Sequence, residues 1–195
     1  CILLIEGFMD IYDNNINVLT NYIADGSKGC NSNAVGVELE HFVIDKNGDC
    51  VPYINGVENI IEQLAQNFSK HVYSEGFLIG LSCDKYNITL EPGAQIEISI
   101  KPTENICEIE NIYGEFLSVI NPILDKYSYR LTTLGYMPKN KAKDISLIPK
   151  KRYEYMNKYF KSVGTRGINM MRGTASAQVS IDFADEKDCV QKFKK

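Results

Sequence analysis

Leu90-Glu91-Pro92-Gly93-Ala94-Gln95-Ile96-Glu97-Ile98-Ser99-Ile100 decides how the chain is read. From Ala94 to Lys101, apolar and polar residues alternate strictly. In a strand, residues i and i+2 project to the same face. Ile96, Ile98 and Ile100 therefore point one way, to a core, and Gln95, Glu97 and Ser99 point the other. Pro92 holds Glu91 in extended backbone just before the turn. The stretch is a strand entered through a tight Pro-Gly turn, with one apolar and one polar face.

The same pattern recurs on either side. In Gly36-Val37-Glu38-Leu39-Glu40-His41-Phe42, Glu38 and Glu40 share a face, and Val37 and Leu39 point to a core. In Ala175–Phe183, Ser176, Gln178, Ser180 and Asp182 stand opposite Ala177, Val179, Ile181 and Phe183. Half-wet antiparallel sheets are ordinary. Glutamate, however, is depleted in strands, and two carboxylates side by side repel unless something compensates. A hard cation such as magnesium removes that cost, because it takes carboxylate oxygens and keeps waters or phosphate oxygens in its remaining positions. Glu91, six residues before Glu97, is a candidate fourth carboxylate.

Around these strands the periodicity predicts a helix over residues 8–24, with Phe8, Ile11, Tyr12, Ile16, Leu19 and Ile23 on one face. Asp45-Lys46-Asn47-Gly48 predicts a hairpin returning near residues 50–54. A helix is expected over 57–68, and strands over 77–83 and 88–90. A long helix runs from Thr103 to about Tyr127, with Ile106, Ile109, Tyr113, Phe116, Leu117, Ile120 and Leu124 facing the core and a bend at Pro122. A strand over 131–137 and a helix over 152–160 follow. Hairpins and irregular connections favour α+β, with a mainly antiparallel sheet and flanking helices, over a regular βαβ fold.

Composition narrows the function classes. The 195 residues carry a formal net charge of -4, so there is no basic footprint for nucleic acid. No apolar run reaches the roughly 18–20 residues of a membrane span. The six cysteines form no Cys-x-x-Cys pair and no zinc spacing; free thiols in the cytoplasm are the expectation. There is no P-loop motif and no serine or cysteine triad. His41 alternates to the face opposite Glu40, as a core or surface imidazole would, not as a ligand. The chain reads as a piece of a longer one: it begins at Cys1, and 185–195 reads as a helix that has just begun.

Five blocks together carry a resemblance. They are Gly36–Phe42, Leu90–Ser99, Leu134-Gly135-Tyr136-Met137-Pro138-Lys139, Pro149-Lys150-Lys151-Arg152-Tyr153-Glu154-Tyr155-Met156, and Met170-Met171-Arg172-Gly173-Thr174 running on through Gln178-Val179-Ser180-Ile181-Asp182. In this order they resemble the glutamate–cysteine ligases of plants and bacteria, and bacterial members most closely. The resemblance implies residues 1–195 as the N-terminal part of one catalytic domain, with a curved antiparallel sheet like that of glutamine synthetase. It implies an ATP-dependent ligase acting on L-glutamate and L-cysteine, the first step of glutathione biosynthesis. Glu38, Glu40, Glu91, Glu97 and Gln178 would hold Mg2+, with Gln178 at the metal–nucleotide end. Thr174 and the Met170-Met171 backbone would lie near the glutamate. Arg152 is a further substrate-side candidate. Ser180 departs from the family's asparagine, and Arg172-Gly173 occupies a variable pair. Because the family's later basic and aromatic residues lie beyond this sequence, residues 1–195 alone are expected to lack turnover. A ligase with another amine acceptor, or a metal- or nucleotide-binding piece, are the competing readings.

Overall fold

Alternation along the strands and helical spacing between them fold into an α+β architecture built on one open, mainly antiparallel sheet. The computed structural model describes residues 2–29 and 33–195, with backbone alone for 2–11. It divides into two units, residues 1–35 with 181–195, and residues 36–180.

The larger unit carries the sheet. Its strands are β1 (Val35–Ile44), β2 (Lys70–Ser74), β3 (Phe77–Ser82), β4 (Tyr86–Leu90), β5 (Ile96–Thr103), β6 (Arg130–Thr132) and β7 (Ala177–Ile181). Their order is β2-β3-β4-β5-β1-β6, and β7 also pairs with β1. The β2/β3, β3/β4, β4/β5 and β1/β6 pairs are antiparallel. The consequence for function is in the middle: β5, carrying Glu97, lies beside β1, carrying Glu38 and Glu40.

Ile96, Ile98 and Ile100 are buried, as the alternation requires. Helices α2 (Glu58–Leu64) and α3 (Ile106–Lys126) pack on this apolar side. Helix α3 starts where the Asn105 side chain accepts a hydrogen bond from the Cys107 amide at 3.0 Å. It buries Ile112, Phe116, Ile120, Ile123 and Leu124. Ile106, expected on the core face, is 80 % exposed: it is the first residue of the helix, a full turn and a half before the first buried one. Pro122 lies inside the unbroken helix. Helices α4 (Lys151–Ser162) and α5 (Gly167–Gly173) complete the unit.

Other expectations are corrected. The return after Gly48 makes a single bridge, Ile44 to Cys50, and then a kinked turn through Ile54 and Asn55, the latter at φ 58°, in place of a strand. The strand expected over 131–137 stops at Thr132; Tyr136 makes only an isolated bridge to Thr174. Strand β2 was not foreseen. It is joined to β3 through Glu75-Gly76, both at positive φ, which is the backbone of a two-residue hairpin turn.

In the smaller unit, α1 spans Ile2–Ala24. Tyr12, Ile16, Leu19 and Ile23 all stand exposed instead of buried. The side chains of Phe8 and Ile11 lie outside the described residues. Helix α6 (Glu186–Phe193) is capped by the Asp185 side chain, which accepts from the Asp188 amide at 2.8 Å. No helix among the described residues is long and apolar enough to cross a membrane. Cys50, Cys83, Cys107 and Cys189 are free thiols, and Cys1 and Cys30 fall outside the description.

Candidate active site

The cleft on the polar side of the larger unit begins with the Glu91–Ala94 turn. The Ala94 amide donates to the Glu91 carbonyl at 2.9 Å, and the Glu91 amide donates to the Gln95 carbonyl at 2.9 Å. Ala94 sits at φ 65°, a left-handed conformation that L side chains rarely adopt. Gly93 is required by packing: a Cβ there would meet the Arg172 carbonyl at 2.9 Å and the Ile145 Cγ2 at 3.0 Å. The close approach presses the turn against the end of α5.

Gln95 locks that contact. Its Oε1 accepts from the Gly93 amide at 2.7 Å, and its Nε2 donates to the Thr174 carbonyl at 2.8 Å. At 1 % exposure it is structural, not a wet-face residue. Gln95→Ala is expected to destabilise the domain by about 2–4 kcal/mol, since it strands two buried backbone groups. Urea unfolding checks this; an unchanged midpoint would show that the turn and α5 hold together without it.

Strand register sets the carboxylates. Thr89 on β4 lies opposite Glu97 on β5. The Thr89 and Ser99 hydroxyls both donate to Glu97 Oε1 at 2.8 Å, so this buried carboxylate is fixed from its own sheet. Glu40 is fixed from β7 and the residue before it. Ser176 donates its amide to Glu40 Oε2 at 2.9 Å and its hydroxyl to Oε1 at 2.9 Å; Gln178 Nε2 donates to Oε1 at 3.2 Å. With its amide turned to Glu40, Gln178 keeps its carbonyl oxygen for the cleft.

The charges feel one another. Burial pushes Glu38 up from the usual carboxylate range, and the nearby charges of Glu97 and Glu40 add to it. Burial, then Glu97 and Glu40, push Glu91 up to about 7 against the pull of Lys150 and Arg152. Four acids thus share one field. Among the described residues, no three His, Cys, Asp or Glu side chains converge closely enough to hold a metal ion between them.

Helix α4 supplies the opposing cations. The buried Tyr153 places its hydroxyl 3.4 Å from Glu91 Oε1 and 3.3 Å from the Leu90 carbonyl, and accepts from Lys150 Nζ at 3.3 Å. The Arg152 guanidinium covers the Tyr153 ring, its Cζ 5.1 Å from the centroid. Lys150, which sequence reasoning passed over, is half-buried; burial and then Arg152 lower its pKa. Its place in the same turn as Tyr153, two residues before Arg152, was the available signal.

Glu40, Glu91, Met170, Met171, Thr174 and Gln178 all line one cleft of about 780 Å³. Glu38, Glu97 and Arg152 are not among its walls. Met171 is buried and Met170 half exposed, and the Thr174 hydroxyl turns back to the Met170 carbonyl at 2.6 Å. Met170 and Met171 stand on the short helix α5. His41 is in the core, 3 % exposed, with Nε2 2.8 Å from the Tyr113 hydroxyl, and burial lowers its pKa.

The family model described as glutamate–cysteine ligase family 2 matches residues 34–195. The chain belongs to that family. It is 32 % identical over 177 residues to the chloroplastic glutamate–cysteine ligase of Medicago truncatula, covering 90 % of this chain and 35 % of that protein. The protein of the same name from Arabidopsis thaliana is 31 % identical over 177 residues, covering 90 % of this chain and 34 % of that one. Glutamate–cysteine ligase A, chloroplastic, of Oryza sativa subsp. japonica is 30 % identical over 177 residues, covering 90 % and 36 %. The chain thus spans about a third of the length of these curated relatives.

Proposed function

We propose that residues 36–180 form the acidic wall and part of the glutamate pocket of an ATP-dependent ligase joining the γ-carboxylate of L-glutamate to the amine of L-cysteine. The observation that carries this reading is the shared field of Glu38, Glu40 and Glu97 on adjacent strands and Glu91 in the turn before β5, of which Glu40 and Glu91 line the cleft shared with α5. Burial and neighbouring carboxylates raise both Glu38 and Glu91, so their charged forms call for a positive partner. The donor set is all oxygen, from Glu38, Glu40, Glu91, Glu97 and the Gln178 carbonyl, which suits a hard cation that needs few protein ligands and retains water. These residues would hold Mg2+, which when bound neutralises the β- and γ-phosphates of ATP and polarises the transferred phosphoryl group.

The chain's own groups do the rest by positioning. Glutamate and the triphosphate are both anionic, so alignment and charge neutralisation are the main demands. Thr174 and the backbone of Met170 and Met171 border the space for glutamate. Lys150 and Arg152, on either side of the start of α4 and beside Glu91, offer positive charge to an incoming anion. In the proposed sequence, the γ-carboxylate oxygen attacks the terminal phosphorus of ATP and ADP leaves, giving an acyl phosphate. The amine of cysteine then attacks the acyl carbon, loses a proton and expels phosphate.

The test is phosphate release by the protein as encoded, with ATP and magnesium. Release that requires both glutamate and cysteine, with γ-glutamylcysteine as product, is the expected result. Release that proceeds without glutamate, or faster with another amine than with cysteine, would defeat the assignment.

A further inference from the structure

A second cavity, of about 650 Å³, lies in the larger unit on the other side of α5 from the cleft. Helix α5 serves both: Met170 and Met171 line the cleft, and Ile168, Asn169 and Arg172 line the cavity. The cavity's charge is its distinguishing property. Lys139, Lys141, Lys143, Lys161 and Arg172 contribute to its walls, and among the described residues no aspartate or glutamate does. This occurs in a chain whose formal net charge is -4.

Most of that positive charge is uncompensated. Lys139 is paired with Asp49 at 2.7 Å. Lys141, Lys143 and Lys161 are exposed and make no ion pair among the described residues. Arg172 bonds neutral acceptors, the Ile145 carbonyl at 2.8 Å and the Asn157 side chain, so its charge is unbalanced. Its Nε–H is buried with no acceptor among the described residues, an arrangement that native structures rarely leave without a reason. Partial burial also lowers the Arg172 pKa.

We propose that this cavity is a binding site for a small multivalent phosphate, from a diphosphate up to the size of a nucleotide. The volume suits a small-molecule ligand. The free cations are lysine ammoniums, point charges that recognise phosphate oxygens from several directions. Arg172, whose planar fork would favour a carboxylate, already commits one N–H of each Nη to a protein acceptor. Asn169, bonded to the Tyr136 hydroxyl at 2.9 Å, adds a neutral polar rim. The proposal goes beyond the ligase reading and does not rest on it, since it involves no metal and no residue of the carboxylate wall.

The experiment is calorimetric titration of the whole chain with inorganic tripolyphosphate in EDTA, which removes divalent cations from the carboxylates. One saturable event is expected, weakened tenfold or more in a Lys141→Ala, Lys161→Ala variant of unchanged thermal midpoint. Both lysines are exposed, so the fold should tolerate their loss. Glu38→Gln with Glu40→Gln should leave the affinity within a factor of two. Absence of saturable binding, or binding that survives both alanines, overturns the site. Citrate binding as tightly as tripolyphosphate overturns the phosphate assignment.

Discussion

Replacing Glu38 and Glu40 together by glutamine is expected to lower glutamate- and cysteine-dependent phosphate release by roughly a hundredfold or more, the several kcal/mol that metal-assisted charge neutralisation supplies. The two side chains are half-buried on β1 beside Glu97 of β5. Glutamine preserves shape and one carbonyl oxygen but removes the charge. The two positions differ in what else they lose. Glu40 accepts from the Ser176 amide and hydroxyl and from Gln178 Nε2, whereas Glu38 accepts no such clamp among the described residues. Glu40→Gln turns one acceptor into a donor facing those groups, so it should also loosen β7 from β1. Glu38→Gln alone should raise the magnesium concentration for half-maximal rate with little change in stability. A double variant with an intact rate would remove these residues from the metal site.

The second large effect is on stability against pH. Glu91 is pushed up to about 7 in the folded chain, from an ordinary value of 4.5. The folded state therefore binds more protons than the unfolded state between those values. Stability is highest below the lower value and falls as pH rises through the upper one. Without metal, the loss between about pH 5 and pH 8 is expected to be roughly 2–3 kcal/mol, since a tenfold difference in proton affinity between the two states is worth about 1.4 kcal/mol. Glu38, raised in the same sense, adds to it. His41, held low by burial, acts the other way, toward the acid end. Glu91→Gln should flatten most of the slope, and magnesium should flatten it in the unaltered chain. Urea unfolding across that range, with EDTA or with magnesium, reads both. A slope unchanged by Glu91→Gln would place the titration elsewhere.

Local pattern carried much of the fold. The strict alternation of Ile96, Ile98 and Ile100 with Gln95, Glu97 and Ser99 is a period that admits only a strand with one apolar face, and the buried isoleucines agree, although Gln95 and Glu97 are buried as well. Helix α3 was legible for the same reason, at period 3.6. Lys70–Ser74 was not. As an edge strand it is solvated on both sides, so no burial constraint had written an apolar period into it. Its signal lay in the Glu75-Gly76 turn. The site's residues could be grouped by face, but not by partner. Gln95 alternates with Glu97 and looks like part of the polar face. Its side chain instead bonds Thr174, 79 positions later. Such pairings are decided by which strands become neighbours, and no period within one segment reports that. The seven-residue α5 is too short to show a period. Lys150 was hidden because its partners, Glu91 in the turn before β5 and Glu97 on β5, are distant in sequence.

The clamp on Glu40 has a consequence for the order in which the molecule is made. Ser176 follows Glu40 by 136 residues. At the usual pace of synthesis, roughly 5–20 residues per second, β1 leaves the ribosome on the order of ten seconds before its clamp exists. During that interval the hairpins β2 to β5 can pair among themselves and β1 can gain β5 and then β6, but β7 and the Glu40 clamp are still missing. Long loops closed late make for slow folding. The first strand of the sheet to be synthesised is thus among the last to be finished, and its acidic pair spends the wait in water, where two like charges cost least.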